Sequence, residues 1–429
     1  MQRILCFECS DCVTHRNKFS LGHESSSFRF TACHVLSREE YRSGYVNMVG
    51  YSSDFSITSS YCNALGINKI TGTQSEDTPL LNVAQKKPHI IFVGLVCLDL
   101  IVQVEDYPEE DSDCVIASSA PYKARGGNAA NSSVVASQLG VTSSLLCSLS
   151  SLHSDESNLS FALNDLKSYD VHVSKYCPRH FGCSLPVSHV VISRKNQSRT
   201  IIHHRALPEL SCSDFEKMIM HIPERTSAFH FEGRAVEVTK RMIEVARRHV
   251  DKNRWNTKIC LEIEKPKRRG LLRALRHVDI VFLSQDFVRE CDFGSDASEG
   301  IRNVSNYIRE QFEEYVLPKI LVCTWGRDGA SCLMMKSTKI EDDSIFKVDA
   351  YREDGMGDVI ETVGAGDTFI GAFLAHYVGG NQDLASHSKD DDMDVSTRSM
   401  KDIAACLSFA SRVASYKVRQ RGFRLSLKR

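Results

Sequence analysis

From residue 88 onward, short apolar runs of strand length alternate with stretches of helical period, and this alternation constrains the fold most strongly. The first run, His89-Ile90-Ile91-Phe92-Val93-Gly94-Leu95-Val96-Cys97-Leu98-Asp99, is apolar at almost every position. A strand with one solvated face would alternate, so a continuous run fits a parallel strand covered on both sides. Similar runs stand at 145–149, 229–231, 259–263, 278–283 and 319–325. Between them 132–139, 158–169, 238–246 and 301–312 read as helices, with a last helix at about 400–418. The rhythm predicts an α/β fold, a doubly wound, mostly parallel sheet with helices on both faces. The runs at 102–118 and 187–204 are shorter and alternate, which fits a small antiparallel β lid over the carboxyl ends of the strands. Open α/β sheets bind ligands at those ends. There this chain places Asp99, Glu232-Gly233-Arg234, Glu264-Lys265-Pro266, Ser284-Gln285-Asp286 and Gly326-Arg327-Asp328-Gly329. The basic residues Arg241, Arg247 and Arg248 of the helix that carries Val238, Met242, Val245 and Ala246 are expected to form a solvated face.

Charge and cysteine content narrow the function. A net charge of -1 over 429 residues argues against a chain devoted to nucleic acid or to an acidic membrane surface. No stretch approaches the roughly 20 continuous apolar residues that span a bilayer. The 16 cysteines are scattered through strand-like stretches, with no secretory segment after Met1, and predict free thiols in a reducing, cytoplasmic setting.

Residues 1–87 differ from the rest. They are rich in Ser, Cys and Thr, lack a sustained period of 2 or 3.6, and are expected to be a disordered N-terminal extension before a catalytic domain at 88–429. Cys6, Cys9, Cys12, Cys33 and His34 lack the paired spacing of a zinc site. Glu8, Asp11 and Glu24 put acidic charge where a transit peptide avoids it. A second expected disordered segment is the acidic insertion at 387–398, with Asp390, Asp391, Asp392 and Asp394.

Two stretches carry chemistry. In Glu361-Thr362-Val363-Gly364-Ala365-Gly366-Asp367-Thr368-Phe369 a Gly-Ala-Gly turn leads into a helix with an Asp in its first turn. Helix N-termini offer unpaired N–H groups and a positive dipole end to an anion, and glycines let a phosphate approach closely. Asp367 is then placed to take a proton from a hydroxyl nucleophile. The alternative is a plain strand–turn–helix corner with a capping Asp. In Arg125-Gly126-Gly127-Asn128-Ala129-Ala130-Asn131 the two asparagines stand three residues apart at a helix start, offering donors and acceptors suited to a polyhydroxy compound. Its alternative is a glycine turn with capping Asn. No G-x-G-x-x-G follows the first strand, which argues against a dinucleotide-binding oxidoreductase.

Taken together these residues resemble the ribokinase-type sugar kinases, the PfkB carbohydrate kinase family, and most closely those members that phosphorylate fructose at its primary 1-hydroxyl. Thr362–Phe369 resembles the late family signature and Gly126-Gly127-Asn128 the early one. Val93–Asp99, Tyr107–Ser112, Leu207-Pro208 with Asp214–Lys217, Glu232–Arg234, Glu262–Pro266 and Cys323–Ala330 extend the similarity from about 89 to 423. The resemblance implies a ribokinase-like fold and ATP-dependent transfer of the γ-phosphoryl group to a sugar, with Mg2+ brought by the nucleotide; nothing in the sequence calls for potassium. It implies Asp367 as general base and the Gly364-Ala365-Gly366 backbone as anion hole. Asp99, Gly127, Asn128, Asn131 and Arg199 would hold the sugar, and Gly326, Arg327 and Gly329, with Gly364 and Gly366, the ATP. It also implies a homodimer joined through the lid. The resemblance leaves open a kinase for a ribose- or nucleoside-like substrate, or a catalytically weak sugar sensor.

The chain departs from the fructose-phosphorylating pattern at particular sites. Gln285 replaces a Lys, His203-His204-Arg205 replaces a His-Asp pair after the second lid strand, and Arg327 replaces an acidic residue. Ala130 stands where Ser is usual, and Tyr416, Val418 and Arg419 stand where small residues or Lys and Cys are expected. No clear Asn-x-x-Glu motif offers a metal ligand set, which leaves the metal ligands unassigned.

Overall fold

The strands and helices follow in the order that the sequence rhythm predicts. The computed structural model describes residues 87–425 apart from 117–119, 196–197, 225, 318, 354 and 380–399. The N-terminal extension, its cysteines and the acidic 387–398 insertion lie outside the described residues. The first elements are β1 (His89–Val93), β2 (Cys97–Val104), β3 (Tyr122–Gly126), α1 (Asn128–Gln138), β4 (Thr142–Leu146), β5 (Leu149–Ser150) and α2 (Leu152–Ser168). Then come β6 (Val171–Val173), β7 (Arg179–His180), β8 (Val187–Ser193), β9 (Arg199–His204), α3 (Cys212–Ile219), β10 (Thr226–Glu232), α4 (Val236–Asn253) and β11 (Lys258–Ile263). A segment of 3-10 turns, Pro266–His277, precedes β12 (Ile280–Ser284), α5 (Gln285–Glu290), α6 (Ala297–Gln311) and β13 (Lys319–Thr324). The last are β14 (Ala330–Met335), β15 (Ser344–Val348), α7 (Ala365–Gly379) and α8 (Met400–Lys417).

Nine strands form one sheet in the order β15-β14-β13-β12-β11-β10-β1-β4-β6. Pairing is parallel from β6 to β13, and β14 and β15 add an antiparallel edge. The apolar runs fill its middle: Ile90, Phe92, Phe229, Phe231, Leu261 and Val281 are fully buried, as a sheet covered on both faces requires. The chain proceeds from β1 outward through β4 to β6, then returns to β10 on the other side of β1. That reversal opens a crevice at the carboxyl ends of β1 and β10.

The second sheet has the order β3-β2-β8-β9 and differs in part from the expected lid. Its outer pairs are antiparallel, but β2 and β8 run parallel at its centre. Residues 114–116 form no strand; Ile116 makes a single bridge to Val104, and Tyr122–Gly126 supplies the pairing instead. The reason is the Asp106–Asp113 loop, which interrupts the ladder and delays its return. The apolar run from His89 to Asp99 is also divided. It bends at Gly94-Leu95-Val96, so that Asp99 belongs to the lid and not to the main sheet.

Arg247 departs from the solvated face expected for α4: its guanidinium reaches Asp279 at 2.5 Å, and both side chains are nearly buried. The two helices that matter most for function are α1 and α7, which pack on each other. At Gly371 an added Cβ would stand 2.5 Å from the Ser132 carbonyl oxygen. Glycine there permits the close approach that brings the first turns of the two helices together.

Candidate active site

Residues far apart in sequence line one cavity of about 350 Å³ at the carboxyl ends of the central strands. Asp99, Gly127, Asn128, Asn131, Arg199, Gly326, Gly364, Ala365, Gly366 and Asp367 all line it. Arg327 and Gly329 are absent from that lining, so of the expected nucleotide loop only Gly326 reaches the cavity.

Asp367 stands in the first turn of α7 and is 8% exposed. Asn131 Nδ2 donates to its Oδ2 at 2.6 Å, and the Ser132 hydroxyl donates to its backbone oxygen at 3.0 Å. The Asn131 amide is held from the other end as well, because Arg125 donates to its Oδ1. Arg125 is fixed in turn by Asp165 at 2.6 Å. The amide therefore has one orientation, nitrogen toward Asp367. Both of its polar ends are committed to protein, so Asn131 serves first to position the carboxylate. Burial, joined by Glu264 and Glu232, raises the Asp367 carboxyl to about 7 against the opposing Asn131 hydrogen bond and Lys417. A base with that pKa is half ionised near neutral pH, where general-base catalysis is most effective.

The turn before Asp367 is built to stay open. Gly364 has φ 75, and an added Cβ would stand 2.2 Å from the Phe423 ring. Lys417, fully buried on α8, donates its amine to the Val363 carbonyl and lies 4.0 Å from Glu361. Arg125 and Lys417 both stack on the Phe423 ring, at 5.3 and 5.2 Å from its centroid. The Ala365 N–H donates to the Thr362 carbonyl at 3.2 Å, and a Cβ added at Gly366 would meet nothing within 4 Å, so the first turn of α7 stays open to the cavity at Gly366. This arrangement can receive an anion beside a base.

The opposite wall is acidic. Asn128 Nδ2 donates to Glu262 at 3.0 Å and Glu264 at 3.2 Å, so its amide nitrogen is occupied and its oxygen remains for a ligand. Glu232 accepts from the Leu95 and Ala129 amides at 3.0 and 3.2 Å and pairs with Arg234 at 2.9 Å. Glu262 is buried, and burial, followed by the charges of Asp367, Glu264 and Glu232, drives its carboxyl well above the usual range. Its Oε2 makes no hydrogen bond. Among the described residues no three His, Cys, Asp or Glu side chains are grouped to hold a metal by themselves. The unsatisfied Glu262 oxygen beside Glu264 fits a cation that arrives already bound to phosphates. Asp99 faces the cavity from β2, its carboxyl raised by burial, with the Cys97 thiol donating to it at 3.6 Å. Arg199 of β9 donates to the Thr362 hydroxyl at 3.4 Å and so ties the lid to the catalytic turn.

Sequence reasoning placed Glu232 at a ligand-facing strand end without a role and assigned none to Arg125, Lys417 or Glu262. Charged residues inside or just after apolar strand runs were the available signal for the two glutamates, because an unpaired buried charge is costly.

Comparison with known proteins agrees with this geometry. The sequence pattern of the pfkB family carbohydrate kinases matches residues 87–429. A ketohexokinase from Mus musculus is 32% identical over 299 residues, covering 69% of this chain and 91% of the relative. A nucleoside kinase from Methanocaldococcus jannaschii is 26% identical over 306 residues, covering 69% and 85%. Among solved structures, the ribokinase from Giardia lamblia superposes with a TM-score of 0.63 at 17% identity, covering 79% of this chain and 94% of that one. The chain belongs to the PfkB family of carbohydrate kinases, ATP-dependent enzymes with a ribokinase-like fold.

Proposed function

We propose that the protein transfers the γ-phosphoryl group of ATP to the primary hydroxyl of a ketose, with fructose giving fructose 1-phosphate. The observation that carries this is Asp367: a buried carboxylate with a pKa of about 7, oriented by Asn131 and set in the first turn of a helix facing the cavity. The ketohexokinase similarity supports a ketose as acceptor.

In this reading the sugar hydroxyl lies against Asp367, which takes its proton as the oxygen attacks. Backbone N–H groups of the Gly364-Ala365-Gly366 turn stabilise charge on the transferring group. Asp99, Gly127 and the Asn128 oxygen receive sugar hydroxyls, and Arg199 closes with the lid. Gly326 lies beside the nucleotide, with Gly364 and Gly366 on its phosphates. Glu262 and Glu264 would face a Mg2+ ion carried by those phosphates, which would neutralise their charge when bound. The protein would thus act by positioning and electrostatics, as phosphoryl transfer requires.

The outer strand β9 is exposed along its length, with Ile202 62% and Ile201 38% exposed. An exposed apolar edge strand invites pairing, which supports a homodimer joined through the lid.

A coupled ADP-release assay with fructose and Asp367→Asn tests the reading. Sugar-stimulated turnover in the wild type and a loss of about 10²–10⁴-fold in the variant are expected. The nucleoside kinase similarity favours including ribose and nucleosides in the acceptor panel. ATP binding without turnover on any acceptor would identify a sugar sensor instead.

A further inference from the structure

The lid sheet turns one face toward the cavity, and its register fixes what stands there. Asp99 of β2 lies opposite Ser188 of β8, and Ser188 lies opposite His203 of β9. Register partners put their side chains on the same face of a sheet, and all three of these line the cavity. The next row on that face, two residues along each strand, is Ile101, Val190 and Ile201. Beside that apolar row, Asp99, Ser188 and His203 need hydrogen bonds of their own, because an unpartnered polar group in such a place is costly.

The bonds run along the row. His203 Nδ1 meets the Ser188 hydroxyl at 3.0 Å. Ser188 is 4% exposed; the Cys97 thiol stands 4.0 Å from its oxygen and donates to Asp99 Oδ1 at 3.6 Å. Burial raises the Asp99 carboxyl, and of the influences that hold it down the Ser188 hydrogen bond is the largest, ahead of Cys97 and Arg125. A hydroxyl carries a single proton, and an ionised carboxylate can only accept. Once that proton is given to Asp99, the Ser188 oxygen is left to accept, so His203 must donate from Nδ1–H. A neutral His203 then keeps its proton on Nδ1 and leaves Nε2 bare. The surroundings favour the neutral ring: partial burial, followed by Arg205, Arg234 and Lys265, lowers its pKa against the opposing charge of Glu264.

We infer that His203 is a positioning residue: from the edge strand of the lid, through Ser188, it holds the Asp99 carboxylate aimed at an acceptor hydroxyl. Without the imidazole the Ser188 hydroxyl is free to rotate, and the carboxylate loses its directed donor. Acceptor affinity is thereby tied to β9, the strand whose Arg199 also reaches the catalytic turn at Thr362. Asp99 as an acceptor ligand belongs to the reading above, on which this rests; what is added is the pair of lid residues that sets it in place.

The experiment measures fructose and ATP kinetics in the full-length enzyme and in His203→Leu, His203→Asn, Ser188→Ala and the Ser188→Ala/His203→Leu double variant. His203→Leu should raise KM for fructose about 3–10-fold, the range of one hydrogen bond, with kcat and KM for ATP within twofold of the wild type. His203→Asn, which keeps an N–H donor beside Ser188, should recover most of that loss. Ser188→Ala should cost at least as much, and adding His203→Leu to it should cost nothing more. Fructose KM unmoved by His203→Leu, no recovery in His203→Asn, or losses that multiply in the double variant would overturn the inference. Ring-nitrogen NMR of the histidines reads the same contact without turnover; the signals missing in His203→Asn identify His203. Its proton should sit on Nδ1 in the wild type and lose that preference in Ser188→Ala. A wild-type ring protonated on Nε2 alone would overturn the inference whatever sugar is phosphorylated. Absence of turnover on fructose counts against the ketose reading, whereas the NMR measurement still decides the row.

Discussion

Replacing Asp367 by Asn should cut turnover about 10²–10⁴-fold and at the same time stabilise the fold. The carboxyl is raised from 3.8 to about 7, first by burial and then by Glu264 and Glu232. A group whose folded pKa is raised binds its proton more tightly in the folded state, so stability is lost as pH rises from the unfolded value through the folded one. At 1.36 kcal/mol per unit, the wild type gives up at most about 4 kcal/mol above pH 7, and about 1.6 kcal/mol at pH 5. Asparagine keeps an oxygen for the Asn131 donor and carries no charge, so it escapes this loss. With about 2 cal/mol/K of unfolding entropy per residue over roughly 340 residues, 4 kcal/mol corresponds to about 6 °C. Thermal melts of both proteins at pH 8 and pH 5 test this. Asp367→Asn should melt higher at pH 8, and the gap should narrow at pH 5. Buried histidines such as His89 and His230 also respond to acid, but they are common to both proteins and cancel in the difference. Equal melting temperatures at pH 8, or a gap that widens toward pH 5, would refute the reasoning that Asp367 is held in a costly, catalytically poised state.

Asn131→Ala removes the hydrogen bond that lowers the Asp367 pKa. The acid limb of kcat/KM should move up by about one pH unit, because losing roughly 1.5 kcal/mol of charge-assisted bonding is about one unit of pKa. An acid limb that stays in place would show that the amide does not orient the base. Gly364→Ala places a Cβ 2.2 Å from the Phe423 ring at φ 75, so both kcat and melting temperature should fall, with about 1–2 kcal/mol from backbone strain alone. Adding Phe423→Leu should return part of the stability; no recovery would rule out the ring clash as the cause. Lys417→Met leaves Glu361 buried without its cation and frees the Val363 carbonyl, a loss on the order of 3–5 kcal/mol. Denaturant unfolding should show Glu361→Gln recovering much of that loss in the double variant, and additive effects would disprove the coupling.

The alternation of apolar runs and helical stretches was enough to read the parallel sheet, because burial on both faces leaves its mark on every residue of a strand. The turn at Gly364–Asp367 and the loop at Gly127–Asn131 were legible for a similar reason: phosphate approach and helix capping are local demands. Pairing is not local. That β2 runs parallel to β8, that Tyr122–Gly126 and not 114–118 closes the lid, and that β14 and β15 form an antiparallel edge depend on partners distant in sequence. The support of the base is equally nonlocal. Asp165, Arg125, Asn131 and Asp367 meet because Gly371 lets α7 lie close on α1. The chain by itself determined which residues have the chemistry of a kinase. Only the tertiary structure decided that Asn131 is committed to Asp367 and that Glu262 is buried with an unsatisfied oxygen. Charge and hydrogen bonding act through space, and sequence order does not record those distances.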